Sequence, residues 1–152
     1  MKIFFYSSFL ALFLFSSFTK DTHRNLLLKS GPVFTLNLTG VKSPTAKIRI
    51  GFYKPTDKFP EVGKASIIKI MNPEKAGSIS LNFTDIPAGH YALAMYQDMN
   101  GDEKLNKNFI GYPKEPFGFS RNFKPKLSAP KFEDCEIIFD ETHTSFTVNL
   151  IN

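Results

Sequence analysis

Disulfides, a strong charge bias, a metal-spaced histidine pair and a sustained helical period are all missing from these 152 residues. Each absence removes a class of protein. The single cysteine, Cys135, cannot close an intrachain disulfide, so stability must come from packing. It sits in an apolar stretch and reads as a buried strand cysteine rather than a nucleophile. The formal net charge of +5 shrinks further once the leader lysine Lys2 is set aside, which is too weak a bias for a nucleic-acid partner. The basic residues of the second half, among them Lys104, Lys107, Lys114 and Lys126, read as a solvated loop surface, with an anionic partner as the alternative. His23, His90 and His143 show no short metal spacing. No glycine-rich phosphate cradle is present, and Ser120 in "GFSRN" lacks the second glycine and the strand-to-helix setting of a nucleophile elbow.

The chain has one long apolar run, and it lies at the start. "MKIFFYSSFLALFLFSSFTKD" carries one lysine, an apolar stretch from Ile3 to Phe15, and the small residues Ser17 and Thr19 where a leader peptidase would hold them. The run is shorter than the about 20 residues needed to span a bilayer. The expectation is a signal peptide over 1–19 cleaved near Thr19, a flexible segment over 20–30 and one domain over 31–152. Such a protein is exported, periplasmic or extracellular, and keeps no stable membrane span after cleavage. What remains is long enough to bury a core without staples.

Along the domain the apolar period is two. Phe34, Leu36 and Leu38 alternate with polar neighbours in "VFTLNLTG", as a strand with one buried face requires. So do Ile48, Ile50 and Phe52 in "AKIRIGFYK", Ile79, Leu81 and Phe83 in "SISLNF", and Phe146, Val148 and Leu150 in "SFTVNL". "ASIIKIM", "HYALAMYQ" and "CEIIF" are apolar at most positions and are expected at central places in a sheet. Turn signals separate all seven, and no other stretch keeps a helical period. The expectation is an all-β, antiparallel two-sheet sandwich of about seven strands.

One connection is too long for that scheme. From Asp98 to Pro130 no strand is evident, far beyond the about 12–15 residues at which structureless loops become uncommon. Its start, "DMNGDEKLNKNF", places Asp98, Asn100, Asp102, the Lys104 carbonyl and Asn106 at every second position, the spacing by which one short loop wraps calcium. Glu103 and Phe109 stand where such a loop wants glycine and a bidentate glutamate, so Glu115 or Asp134 would have to complete the shell. The competing reading is a turn whose Asx side chains bond their own backbone. Further on, Phe109, Tyr112, Phe117, Phe119 and Phe123 form an aromatic cluster. It could close on the sandwich as an apolar flap or pack as a small satellite core.

"IPAGHYALAMYQDMNGDEKLNKNFIGYPKEPFGFSRN" followed by "APKFEDCEI" resembles a bacterial family of exported proteins, domain of unknown function 2141. The shared elements are Pro87 and Gly89 before a strand that ends in Asp98, the Asn/Gly-rich loop to Asn106, Gly111 to Glu115, Gly118-Phe119-Ser120, and Pro130 to Asp134. The chain departs from the pattern at Arg121, where asparagine is expected, and at Asp102-Glu103, where the family reads Asn-Gly. The resemblance implies an immunoglobulin-like or transthyretin-like sandwich and no known activity. Two functions stand open: a non-catalytic module that binds an extracytoplasmic ligand or protein through the 98–130 loop, or a metal-assisted hydrolase with Asp98, Asp102 and Glu115 at the metal.

Overall fold

The computed structural model describes residues 31–126 and 128–151; the expected signal peptide and the 20–30 segment lie outside them. Eight strands form two sheets. The strands are β1 (Phe34–Val41), β2 (Lys47–Tyr53), β3 (Ile67–Met71), β4 (Gly77–Phe83), β5 (Gly89–Asp98), β6 (Phe117–Phe119), β7 (Glu136–Phe139) and β8 (Ser145–Asn149). The first sheet runs β4-β1-β8 and the second β3-β2-β5, with β6 and β7 dividing the far edge of β5 between them. The alternation in the sequence sets which face of each strand is buried. Phe34, Leu36 and Leu38 of β1 and Ile48, Ile50 and Phe52 of β2 are wholly buried, and they meet between the sheets. Phe34 lies at the centre, its ring 4.9 Å from Phe139, 4.9 Å from Phe146 and 5.1 Å from Phe52. Truncating such a ring typically costs about 3–5 kcal/mol.

All seven expected strands are present, with three corrections. β3 and β7 are not central: β3 pairs only with β2 and β7 only with β5, and each exposes an isoleucine or two. Their apolar runs mark a strand that is partly covered on its second face, which periodicity cannot tell from a central position. Cys135 is buried but closes a one-turn helix, α1 (Phe132–Cys135), in which Asp134 accepts the Lys131 N–H at 2.9 Å; β7 begins one residue later. The sandwich is also not purely antiparallel, because β8 lies parallel to β1. The long connection carries an element of its own, the short strand β6.

β5 is the strand on which that division turns. Its residues 89–92 pair with β7 and 94–96 with β6, which leaves Leu93 between the two partners. Ser120 fills the gap: its hydroxyl accepts the Leu93 N–H at 2.8 Å and donates to the carbonyl of Cys135. The side chain thus acts as a rung joining β5, the end of β6 and α1. It is buried, and both of its hydrogen bonds go to main-chain groups rather than to an acid or base. Gly118, two residues earlier, faces the first sheet so closely that a Cβ would stand 2.8 Å from Val148 Cγ1 and 2.9 Å from the Asn149 carbonyl. After Ser120 the chain turns sharply, with Arg121 and Asn122 at φ of 58° and 54°. That left-handed region suits asparagine and is unfavourable for arginine.

Ser120→Ala therefore leaves a buried N–H and a buried C=O without their partner, and should cost about 2–3 kcal/mol. Arg121→Asn should gain about 0.5 kcal/mol by relieving the left-handed arginine. Urea unfolding of the two variants should move the midpoint in opposite directions; a neutral Ser120→Ala would show that the rung carries no load.

Candidate functional site

The loop after β5 is built around two buried carboxylates. Asp98 is 3% exposed and Glu115 4%. Asp98 Oδ1 accepts the Gly101 N–H at 2.8 Å and Oδ2 the Glu103 N–H at 2.9 Å. Glu115 Oε1 accepts the Met99 N–H at 2.8 Å and Oε2 the Asn106 N–H at 3.0 Å. Four carboxylate oxygens thus hold four main-chain donors of one loop. A backbone that leaves a sheet and turns on itself must satisfy its N–H groups somehow, and charged acceptors bind them more strongly than neutral ones.

The other residues of the cation-like spacing form a second, exposed layer. Asp102 Oδ2 accepts from the Asn100 and Asn106 side-chain amides at 3.1 and 3.0 Å, and Oδ1 from the Lys104 N–H at 2.9 Å. These bonds, with the Asn106 amide first, hold the Asp102 carboxyl below the usual range. Asn100 also donates to Asn106 Oδ1 at 2.9 Å. Of the five expected ligands, the side chains of Asn100, Asp102 and Asn106 are brought together, and Asp98 binds the N–H groups of Gly101 and Glu103 instead; each side chain with an oxygen is bonded to the loop itself, the arrangement of an Asx-rich turn. Glu115 joins them, as the sequence reading allowed, but as a partner of main-chain N–H groups. Asp134 does not; it caps α1. Among the described residues no group of three or more His, Cys, Asp or Glu side chains is placed to hold a metal ion.

The loop forms one wall of a cleft of about 620 Å³ on the outer face of the second sheet. Pairing explains its floor. Arg49 stands opposite Tyr96, Gly51 opposite Ala94 and Ala94 opposite Phe119, so these side chains share the face turned away from the core. Gly51 and Ala94 make the hollow, and the aromatic rings surround it. A Cβ at Gly51 would come within 2.6 Å of the Tyr53 ring, so the floor admits no side chain there.

Two floor tyrosines pin the two walls. Tyr96 donates its hydroxyl to the Glu103 carbonyl at 3.0 Å, and Tyr53 to the Glu61 carbonyl at 2.7 Å. Burial, followed by nearby carboxylates, pushes the Tyr53 hydroxyl up to about 12, and burial also brings Tyr96 to about 12, so both remain donors at neutral pH. The Glu61 wall has its own carboxylate: Asp57 Oδ2 accepts the Lys54 and Ser66 N–H groups, each at 2.8 Å.

The aromatic cluster read from the sequence is partly correct. Tyr112, Phe117 and Phe119 pack edge to face with centroids 5.4 and 5.9 Å apart, and Phe119 continues to Phe59 at 6.0 Å. Phe109 does not join them; it is 98% exposed at the tip of a hairpin held by the Lys107–Pro113 bridge. Tyr53, Tyr96 and Arg49 were not anticipated as part of one site. The available signal was the failure of polar alternation at Gly51, Tyr53, Ala94 and Tyr96, outward positions that a solvated sheet would fill with polar side chains. Other titratable groups stand apart. Burial pushes the Cys135 thiol up to about 12, which makes it a poor nucleophile. His143 lies in the β7–β8 turn against Asp140, and His90 pairs with Glu136 at 2.7 Å on the β5–β7 ladder.

Residues 36–147 match the family described as uncharacterized protein conserved in bacteria (DUF2141). The chain belongs to this family. No curated protein and no solved structure matches it. The segments that carried the family resemblance are those that build the loop and the β5 edge: Asp98 and Glu115 hold the wall, Gly118 and Ser120 seat β6, and Asp134 caps α1.

Asp98, Asn100, Asp102 and Asn106 each have hydrogen-bond partners within the loop, which favours the Asx-rich turn over a cation site. Chelator-stripped protein should melt at the same temperature with and without millimolar calcium. A rise of several degrees, abolished by Asp102→Ala, would instead assign the Asp98–Asn106 turn to a cation, since about 2.7 kcal/mol is gained at a hundredfold excess over Kd.

Proposed function

We propose that this protein is an exported, non-catalytic binding module whose working surface is the cleft bounded by the 98–130 loop. The observation that carries the reading is the cleft itself: about 620 Å³, with a small-residue floor, aromatic sides, and walls fixed by Tyr53 and Tyr96. Ligand sites of small molecules are of this size, mostly apolar, and formed before the ligand arrives. The rim supports it further, because Val62 and Ile110 in loops and Ile68 on β3 are exposed where a solvent-facing surface would ordinarily be polar. Export rests on the leader pattern at residues 1–19, and the ligand is accordingly an extracytoplasmic one.

A metal-assisted hydrolase would need Asp98, Asp102 and Glu115 turned toward one open position. Asp98 and Glu115 each give both oxygens to main-chain N–H groups, which favours a structural use for them.

The test uses N-phenyl-1-naphthylamine, a neutral fluorescent probe that brightens in apolar sites. It should bind saturably at one site per chain. Ala94→Phe, which places a ring in the hollow of the floor, should weaken binding at least about tenfold with little change in melting temperature. Absence of saturable binding to the wild-type chain, or equal affinity in Ala94→Phe, would remove the cleft as the site.

A further inference from the structure

Among the described residues Arg49 is the one guanidinium lining the cleft, and its hydrogen bonding there is incomplete. The side chain is 17% exposed. Its Nη2 meets Glu103 Oε2 at 2.7 Å, while its Nε is buried with no acceptor among the described residues. An arginine fork is matched by two oxygens held side by side, and a buried N–H without a partner is costly. Glu103 supplies one oxygen only. Its carboxylate is 70% exposed, so it is held weakly and gives little stability. Its main chain, by contrast, is fixed at both ends of the residue: the N–H binds Asp98 Oδ2 and the carbonyl takes the Tyr96 hydroxyl. The Glu103 side chain can therefore swing away from Arg49 by rotation alone, with the wall of the cleft unmoved.

We propose that Arg49 is the anchor for a carboxylate borne by an apolar ligand, and that Glu103 occupies that anchor until the ligand displaces it. This rests on the cleft being the binding site. The ligand class follows from the surroundings of the guanidinium. Tyr96 stands opposite Arg49 across the β2–β5 pair, and Phe117 and Phe119 continue the same face, so the body of the molecule must be apolar. Arg49, Lys107 and Lys126 outnumber Glu61 and Glu103 on the lining, and the small excess of positive charge favours an anionic group over a neutral one. A carboxylate that binds both Nε and Nη2 satisfies the donor Glu103 leaves idle. The apolar body can be an acyl chain or an aromatic ring system, and the two are separated by experiment.

The wild-type protein loaded with N-phenyl-1-naphthylamine is titrated with decanoate and with 2-naphthoate, each against its neutral amide. At least one carboxylate should displace the probe at a concentration about tenfold below that of its amide, the scale of a charge-assisted pair in a partly buried site. Preference for decanoate assigns an acyl ligand and preference for 2-naphthoate an aromatic one. Arg49→Gln should bring the carboxylate-to-amide ratio near one while the probe still binds. Glu103→Gln, at an exposed side chain that does not endanger folding, should improve carboxylate binding several-fold and leave the amide unchanged. A ratio of one in the wild type, or a ratio that Arg49→Gln leaves intact, overturns the anchor while the cleft stands. Failure of the probe itself to bind removes the cleft and the anchor together.

Discussion

Two carboxylates taken out of water hold this protein's distinctive part in place. Asp98 ends β5 and Glu115 precedes β6, and between them the chain makes its excursion from the sheet. Burying either charge alone would be expensive, and each is compensated by two main-chain N–H groups. The compensation works in both directions. The loop supplies donors that make burial of the acids tolerable, and the acids supply acceptors that let an irregular backbone pack against a sheet. Replacing either acid with an apolar residue would strand two N–H groups at once, which is why the interaction acts as a constraint on the whole excursion rather than as one contact among many.

The cleft depends on that constraint. The outer face of a half-buried sheet is normally polar, yet here β2, β5 and β6 present Gly51, Tyr53, Ala94, Tyr96, Phe117 and Phe119 outward. Such a face is stable only where something covers its margins. The Asp98–Glu115 loop covers one side and is tied to Tyr96; the Lys54–Ser66 segment covers the other, organised by Asp57 and tied to Tyr53. Acids shape the walls and tyrosines fasten them, and the hollow between is left by the small residues at Gly51 and Ala94. On the proposed reading, a cleft built on strand positions and pinned at both walls is formed before any ligand arrives, which would limit the entropy lost on binding.

Period two was sufficient to place β1, β2, β4 and β8 and the core they enclose, because one buried face leaves an unambiguous alternation. It failed where both faces are partly covered. β3 and β7 read as central for that reason, and β6 was hidden because three residues carry no period at all. The spacing of Asp98, Asn100, Asp102 and Asn106 correctly marked a tight turn of side-chain oxygens, but spacing does not say whether an oxygen faces an ion or an N–H. Ser120 as a ladder rung and Gln97 as a buried clamp on the Ser43 and Ala46 carbonyls depend on partners 15 to 54 residues away, beyond any local pattern. The cleft required the register of β2 on β5, which places Gly51 beside Ala94. One further signal was legible only afterwards. Arg121 and Glu103, which depart from the pattern the sequence resemblance implied, both have left-handed backbone, with φ of 58° and 64°, where asparagine or glycine is at ease.

Amide hydrogen exchange of the wild-type chain tests the central claim directly. If Asp98 and Glu115 hold the loop, the Met99, Gly101, Glu103 and Asn106 amides should exchange slowly although they belong to no sheet, and Glu115→Gln should release Met99 and Asn106 first, together with loss of the hollow beside Tyr96. Fast exchange at those four amides in the wild type, at the rate of an unstructured loop, would contradict it.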